Sequence, residues 1–218
     1  MVDGRQELKG KCVVTDLDGT LIRSNSTRML ARDVLRRALF KCRLYDLARA
    51  IAAIVRRKLR LVDHRAMKHT LVGIAQKTWS SDDQKKFASR LVSTVNPIVA
   101  DLIRKHHRQG SELLIATAAA DFFMPDFLAS AGLDASYIAT AYRDSLPEYV
   151  ENKGEEKLRR VRDYLTDHNL DLAVFLTDHS DDMALLLENN GKNILVNPSE
   201  GTVAACRSRG VSFDLLPI

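Results

Sequence analysis

Residues 13–21, VVTDLDGTL, constrain the fold more than any other stretch, because an apolar run there delivers two aspartates into a turn. The two valines are β-branched and Gly19 interrupts the run, so the pattern predicts a buried strand followed by a turn. Asp16 and Asp18 would then lie at the carboxyl end of that strand, where open α/β sheets bind ligands. Two carboxylates at this spacing can act as nucleophile and general acid/base, with a hard cation holding phosphate against them.

The pattern DxDGT at residues 16–20 resembles the first motif of the haloacid dehalogenase (HAD) superfamily, whose commonest members are Mg²⁺-dependent phosphatases. The run ELLIATAAA, residues 112–120, predicts a second strand that ends at Thr117, and it resembles the second motif. The resemblance implies that the Thr117 hydroxyl donates to a phosphate oxygen, with the following backbone N–H groups facing the same anion.

Two later segments resemble the remaining motifs of that superfamily. The segment NKGEEK resembles the third motif, which implies that Lys153 places its charge on the phosphoryl group and the nucleophile. Lys157, one helical turn later, is expected to be structural or solvated. The segment FLTDHSDD resembles the fourth motif, which implies that Asp178 binds Mg²⁺ directly, while Asp182 binds it through water or holds Lys153. Asp181 is an extra acid that suits a helix N-terminus.

The predicted fold class is α/β, a doubly wound and mainly parallel sheet with an inserted all-helical cap. Between the first two motifs, apolar residues recur at helical spacing with basic residues on the other faces. Residues 22–95 are therefore predicted to be the helical cap, and residues 1–21 and 96–218 the α/β core. The resemblance places such a cap, directly after the first motif, in the phosphoserine-phosphatase-like branch.

Charge is divided unevenly along the chain, which has a net charge of +5. Residues 22–95 carry 18 Lys and Arg against 5 Asp and Glu, and the rest carries 15 against 23. The basic excess favours an anionic substrate or an anionic surface, or it forms a solvated outer face. No basic strip is interleaved with aromatic residues, so no nucleic-acid partner is expected.

The resemblance implies a mechanism for phosphate-ester hydrolysis. Asp16 would attack phosphorus and form an aspartyl-phosphate, while Asp18 would protonate the leaving oxygen and then activate water. Mg²⁺ would be held by Asp16, by the backbone carbonyl of Asp18 and by Asp178. His179 would touch substrate or be exposed.

The substrate is expected to be a small or lipid-linked anionic phosphate ester. Phosphoserine phosphatases generally carry an acidic residue soon after the first motif to meet the substrate amine, and residues 22–28, IRSNSTR, contain none. The cap region and the KGEEK and LVNPS segments resemble HAD domains associated with UbiA-like prenyltransferases. That resemblance implies a lipid-linked ester, with the basic cap lying against anionic membrane.

The alternative is a catalytically weak HAD-fold binding protein whose basic cap contacts membrane or nucleic acid. The polar N-terminus lacks an apolar signal core, and three widely spaced cysteines form no disulfide or zinc pattern. These features predict a cytoplasmic protein, with peripheral membrane contact as an option.

Overall fold

The computed structural model describes residues 10–217, so nearly all of the polar N-terminal stretch lies outside the described residues. Its centre is a six-stranded sheet in the order β3-β2-β1-β4-β5-β6, and every neighbouring pair is parallel. The strands are β1 Lys11–Thr15, β2 Glu112–Ala120, β3 Ser136–Thr140, β4 Asp171–Thr177, β5 Lys192–Val196 and β6 Asp214–Leu216. The predicted parallel α/β fold class is confirmed.

Strand β1 is buried on both faces, which is why its sequence is a continuous apolar run rather than an alternating one. Val13 packs in the larger apolar cluster, which includes Leu113 of β2, and Val14 packs in a second cluster with Phe175 of β4. Successive side chains of a strand point to opposite faces, so the two clusters lie on opposite sides of the sheet. The double burial holds the carboxyl end of β1 in the middle of the molecule.

Nine helices surround the sheet in the described part of the chain. They are α1 Ser26–Phe40, α2 Leu44–Lys58, α3 His64–Thr78, α4 Ser81–Val92, α5 Pro97–Arg108, α6 Met124–Ala131, α7 Glu155–Asp167, α8 Met183–Glu188 and α9 Glu200–Ser208. The first four form a continuous stretch between β1 and α5, here called the four-helix segment (residues 26–92). Side chains of Asn25, Asp63 and Ser80 cap three of its helices by accepting hydrogen bonds from the first turn.

Strand β2 is longer than its sequence predicts. It continues beyond Thr117 to Ala120, because the register shifts after Ala116 and Ala120 then pairs with Thr140 of β3. Residues 141–152 form a loop and no hairpin. Asn152 anchors the end of that loop by donating to the carbonyls of Thr117 and Ile138.

The helical spacing of the apolar residues in α2 suggests one buried face, but the structure does not bury them together. Ala50 and Ala53 are buried, whereas Leu44, Ile51 and Val55 are exposed. Helix α2 contacts α1 and α3 through Ala50 and Ala53, with Ile54 partly buried against the core, while Leu44, Ile51 and Val55 face away from both helices. Among residues 10–217, no helix is long and apolar enough to cross a bilayer.

Candidate active site

The carboxyl ends of β1, β2 and β4 open into a cavity of about 260 Å³. Parallel strands end at the same edge of a sheet, so residues that are far apart in sequence meet there. Each residue that the sequence predicts to be in the site lines this cavity: Asp16, Asp18, Thr117, Lys153, Asp178 and Asp182.

Asp16 directly follows β1 and is held on both its backbone and its side chain. Its backbone N–H donates to the Leu176 carbonyl of β4 at 2.9 Å, and its Oδ1 accepts from Lys157 Nζ at 3.0 Å. Burial raises the pKa of Asp16 to about 7, although the Lys157 ammonium acts in the opposite direction. The arrangement offers one fixed carboxylate at the floor of the cavity.

The Asp18 carboxylate is held in place by the first residue of α1. Its two carboxylate oxygens accept from the backbone N–H and the hydroxyl of Ser26, each at 2.8 Å. Between Asp18 and α1, Gly19 has a φ of +78°, and a side chain there would collide with the Asp178 carboxylate. Glycine is needed here for both the backbone conformation and the close approach.

Lys157 is buried between two carboxylates, so the expectation that it is solvated is wrong, and the alternative of a structural role remains. Its Nζ lies 3.0 Å from Asp16 Oδ1 and 2.6 Å from Asp182 Oδ1, and the residue is 3% exposed. Asp182 is oriented by the Thr177 hydroxyl, which donates to its Oδ2 at 2.7 Å. Asp182 therefore holds Lys157, and the expectation that it holds Lys153 is also wrong.

Lys153 lies at the rim of the same cavity. It precedes α7, its side chain is 50% exposed, and its Nζ pairs with Asp181 at 2.7 Å. The sequence contained a signal that Lys157, and not Lys153, faces the site. Lys157 and Val161 are four residues apart, and such residues share one face of a helix, which in α7 is the buried face. His179 is half-exposed beside Asp181, whose N–H donates to its Nδ1.

Thr117 provides a hydroxyl to the lining of the same cavity. The residue is 1% exposed, and its Oγ1 accepts from the N–H of Ala119 at 3.0 Å, which fixes the side chain. The hydroxyl proton is still available to an acceptor. Ala118 and Ala119 line the cavity beside it, so backbone of β2 also faces this space.

The donors near Asp16 suit a hard divalent cation. Asp16 and Asp178 offer carboxylate oxygens, and Thr20 Oγ1 orients Asp178 from 3.3 Å. Burial raises the pKa of Asp16, Asp18 and Asp178, since buried carboxylates need positive charge nearby to stay ionised. No three His, Cys, Asp or Glu side chains within residues 10–217 form a metal cluster on their own. The Asp18 side chain is engaged by Ser26, so a site here would need backbone oxygen as well.

The four-helix segment contributes cavity residues that the sequence did not single out. Lys68 of α3 is 3% exposed, and its Nζ donates to Glu151 Oε1 at 2.7 Å and to the Ala118 carbonyl. His64, four residues earlier on the same helix, also lines the cavity, and burial together with Lys68 lowers its pKa. Their i, i+4 spacing is the sequence signal, but nothing local indicates which face of α3 meets the sheet.

Comparison with known proteins agrees with this geometry. Residues 13–187 match the model of the haloacid dehalogenase-like hydrolase family. The chain therefore belongs to the haloacid dehalogenase-like hydrolases, which confirms the family resemblance and the expectation of a hydrolase. No match to the sequence is found among curated proteins.

Several solved structures share the fold. A protein of unknown function from Bordetella pertussis Tohama I superposes with a TM-score of 0.72 at 22% identity, over 94% of this chain and 98% of the other. A phospho-aspartyl intermediate analogue of phosphoserine phosphatase has a TM-score of 0.59 at 15% identity, covering 96% and 93%. Cytosolic 5′-nucleotidase IIIB bound to cytidine has a TM-score of 0.61 at 13% identity, covering 98% and 82%.

Proposed function

We propose that the protein is a Mg²⁺-dependent phosphomonoester hydrolase that acts through an aspartyl-phosphate on Asp16. The observation that carries the proposal is the Asp16–Lys157–Asp182 ion cluster at the floor of a cavity that Asp18, Thr117 and Asp178 also line. A phosphoserine phosphatase of similar fold has been solved as a phospho-aspartyl intermediate analogue. That structure supports an aspartyl-phosphate intermediate in the proposed reaction.

In the proposed reaction, an Asp16 carboxylate oxygen attacks phosphorus, and the bond from phosphorus to the leaving oxygen breaks. Asp18 gives its proton to that oxygen and later takes one from the water that hydrolyses the aspartyl-phosphate, releasing phosphate and restoring Asp16. Ser26 keeps the Asp18 carboxyl in place for both transfers.

Positive charge and hydrogen-bond donors face the phosphoryl oxygens. Lys157 keeps Asp16 oriented and offsets charge on it, and the Thr117 hydroxyl donates to the phosphate. Asp16, Asp178 and the Asp18 carbonyl would hold Mg²⁺, which offsets the repulsion between the nucleophile and the phosphate when bound. Lys153, at the rim, is proposed to contact the substrate rather than the nucleophile.

We propose that residues 22–95 act as a cap over this site, because Lys68 of α3 contacts the carboxyl end of β2. The cavity accommodates a phosphate and a compact leaving group, and its outer wall is polar, with His64, Lys68, Glu151 and Lys153. These side chains favour a small polar leaving group, or the headgroup of a lipid-linked ester whose chain stays outside. The absence of acid in residues 22–28 still disfavours phosphoserine.

The test is hydrolysis of p-nitrophenyl phosphate with Mg²⁺ and with excess EDTA, using wild type and Asp16→Asn. We expect turnover that needs Mg²⁺ and falls at least about 1,000-fold in Asp16→Asn, with acid-quenched wild type carrying phosphate on the peptide of residue 16. Asp134→Asn is the matched control, since the Asp134 side chain is 96% exposed. Full activity of Asp16→Asn would exclude the nucleophile, and no turnover of any phosphate ester would favour the binding-protein alternative.

A further inference from the structure

The outward side of α2 carries a continuous row of exposed apolar side chains. Leu44, Ala48, Ile51 and Val55 follow one another at intervals of three and four residues, and Leu59 extends the row just beyond the helix end. Helical residues at this spacing lie along one face. This row, together with its exposed neighbours Leu39, Phe40, Tyr45 and Leu61, is called the α2 face below.

The exposure is substantial. Leu44 is 71% exposed, Leu59 63% and Phe40 79%, so these side chains contribute little to the core. The opposite side of α2 is buried through Ala50 and Ala53, whose small side chains bring the helix close to α1 and α3. No part of residues 10–217 covers the α2 face. Soluble proteins rarely expose a continuous apolar patch of this kind without a binding partner.

Basic residues surround the apolar row. Between residues 39 and 61 the chain has seven Lys and Arg and one acidic residue. Arg49, Arg56 and Lys58 are exposed on α2 itself, and Arg43 and Arg60 stand at its two ends. Aliphatic side chains bordered by long basic ones are the composition of helices that lie in the interface of an anionic bilayer.

We propose that the α2 face docks on the surface of a membrane that contains anionic lipids. The apolar row would enter the boundary between headgroups and acyl chains, and the flanking ammonium and guanidinium groups would contact lipid phosphates. A second copy of this chain is a poorer occupant, because two equally basic faces would repel each other. A nucleic acid would match the charge but not the aliphatic row.

Docking would bring the cavity close to the bilayer. Leu61 of the α2 face is three residues from His64, which lines the cavity, and three residues span about 10 Å at most. If the proposed hydrolase activity is correct, the enzyme would therefore meet its phosphate ester at the membrane surface. That consequence rests on the proposed function, whereas docking itself does not.

The experiment is cosedimentation of the full chain with vesicles of phosphatidylcholine, alone or mixed with phosphatidylglycerol. We expect binding to the mixed vesicles at about 50 mM NaCl, little binding to phosphatidylcholine alone, and loss of binding at about 500 mM NaCl. Ile51→Ser/Val55→Ser should weaken binding at least about five-fold. Arg56→Gln/Lys58→Gln should weaken it about twenty-fold, as each basic residue near the surface adds to affinity.

Matched controls remove equivalent groups elsewhere. Ile98→Ser/Leu187→Ser removes exposed apolar side chains that are 44% and 52% exposed, and Lys85→Gln/Lys86→Gln removes two exposed charges from α4. Both controls should bind vesicles as wild type does. All four variants should hydrolyse soluble p-nitrophenyl phosphate at the wild-type rate, so a failure of the proposed activity is seen separately from a failure of docking.

Three outcomes would overturn the proposal. The first is no binding of wild type to the mixed vesicles at low salt. The second is vesicle binding that the control variants weaken as much as the α2 variants do, or that Ile51→Ser/Val55→Ser leaves unchanged. Either result would mean that general charge attraction, and not the α2 face, explains the binding. The third is a wild-type dimer in sedimentation velocity that Ile51→Ser/Val55→Ser converts to a monomer, because the α2 face would then bind a second copy.

Discussion

A lysine buried between two carboxylates is the residue on which the candidate site depends. Lys157 contacts both Asp16 and Asp182, and all three side chains are at least 85% buried. Removing one partner of a buried ion pair leaves an uncompensated charge, so each member constrains the others. Lys153, only four residues earlier, pairs with Asp181 in a half-exposed position where an ion pair contributes little.

The two lysines are therefore expected to respond differently to the same substitution. Lys157→Ala should lower kcat for p-nitrophenyl phosphate about 100-fold or more and destabilise the fold by about 3 kcal/mol, because Asp16 and Asp182 lose their counter-charge. Lys153→Ala should raise KM a few-fold with little change in kcat or Tm. Steady-state kinetics and thermal unfolding measure both effects.

Lys157→Arg controls for a protein that fails to fold, since it keeps the positive charge while changing its geometry. It should be more stable than Lys157→Ala but still less active than wild type. If Lys153→Ala abolished turnover and Lys157→Ala did not, Lys153 would be the lysine that acts on the nucleophile, as the sequence motif first suggested.

Among the secondary-structure elements, α4 shows how local chemistry defines a helix and how tertiary contacts reinforce it. Ser80 and Asp83 form a reciprocal capping box, each side chain accepting from the backbone N–H of the other at 3.2 Å. The Asp83 carboxylate also forms ion pairs with Arg37 of α1 and with Lys41, which lies just beyond the end of that helix. The same carboxylate thus caps the beginning of α4 and joins α4 to α1.

These contacts give Asp83 a pH-dependent contribution to stability. Burial tends to raise the pKa of Asp83, but hydrogen bonds from Lys41 and Ser80 and the charge of Arg37 outweigh it and lower the pKa to about 2. A carboxyl whose pKa is lower in the folded state stabilises it at pH values above the unfolded pKa. That contribution is present above about pH 4 and is lost as the pH falls towards 2.

Asp83→Asn should lower stability at pH 7 by about 1 to 2 kcal/mol, because it removes charge from the cap and from both ion pairs. The difference from wild type should shrink as the pH is lowered from 5 to 2.5. Thermal unfolding across that range measures it. Asp82→Asn is the control on the same helical turn, with a side chain that is 81% exposed, and it should change Tm by little. If the difference in stability between wild type and Asp83→Asn did not shrink at low pH, the charge of Asp83 would not be its cause.

At the scale of the whole molecule, the four-helix segment and the sheet are joined at the site itself. Lys68 of α3 and Glu151 of the loop before α7 form a buried ion pair, with side chains 4% and 15% exposed. Lys68 also reaches the Ala118 carbonyl at the end of β2. One charged pair thus links the four-helix segment to the strand ends beside the cavity.

We expect Lys68→Met and Glu151→Leu each to destabilise the protein by about 3 kcal/mol, since each leaves a buried charge unpaired. The double variant should cost less than the sum of the two, with a coupling of about 1 kcal/mol or more in denaturant unfolding. Lys192 and Asp214 form a comparison pair, because both side chains are more than half exposed and should couple by less than about 1 kcal/mol. Additive effects of Lys68 and Glu151 would mean that the pair does not hold the two parts together.

Residue types and their order in the chain determined the parallel sheet, the helices between the first two motifs and the convergence of Asp16, Asp18, Thr117 and Asp178. These features follow from apolar runs, turn residues and helix caps, all of which act over a few positions. Only the tertiary structure decided that Lys157 rather than Lys153 contacts Asp16, that Lys68 pairs with Glu151, and that α2 leaves an apolar face exposed. The physical reason is that each of these outcomes depends on which side of a helix is buried, and that is set by the surfaces the helix packs against.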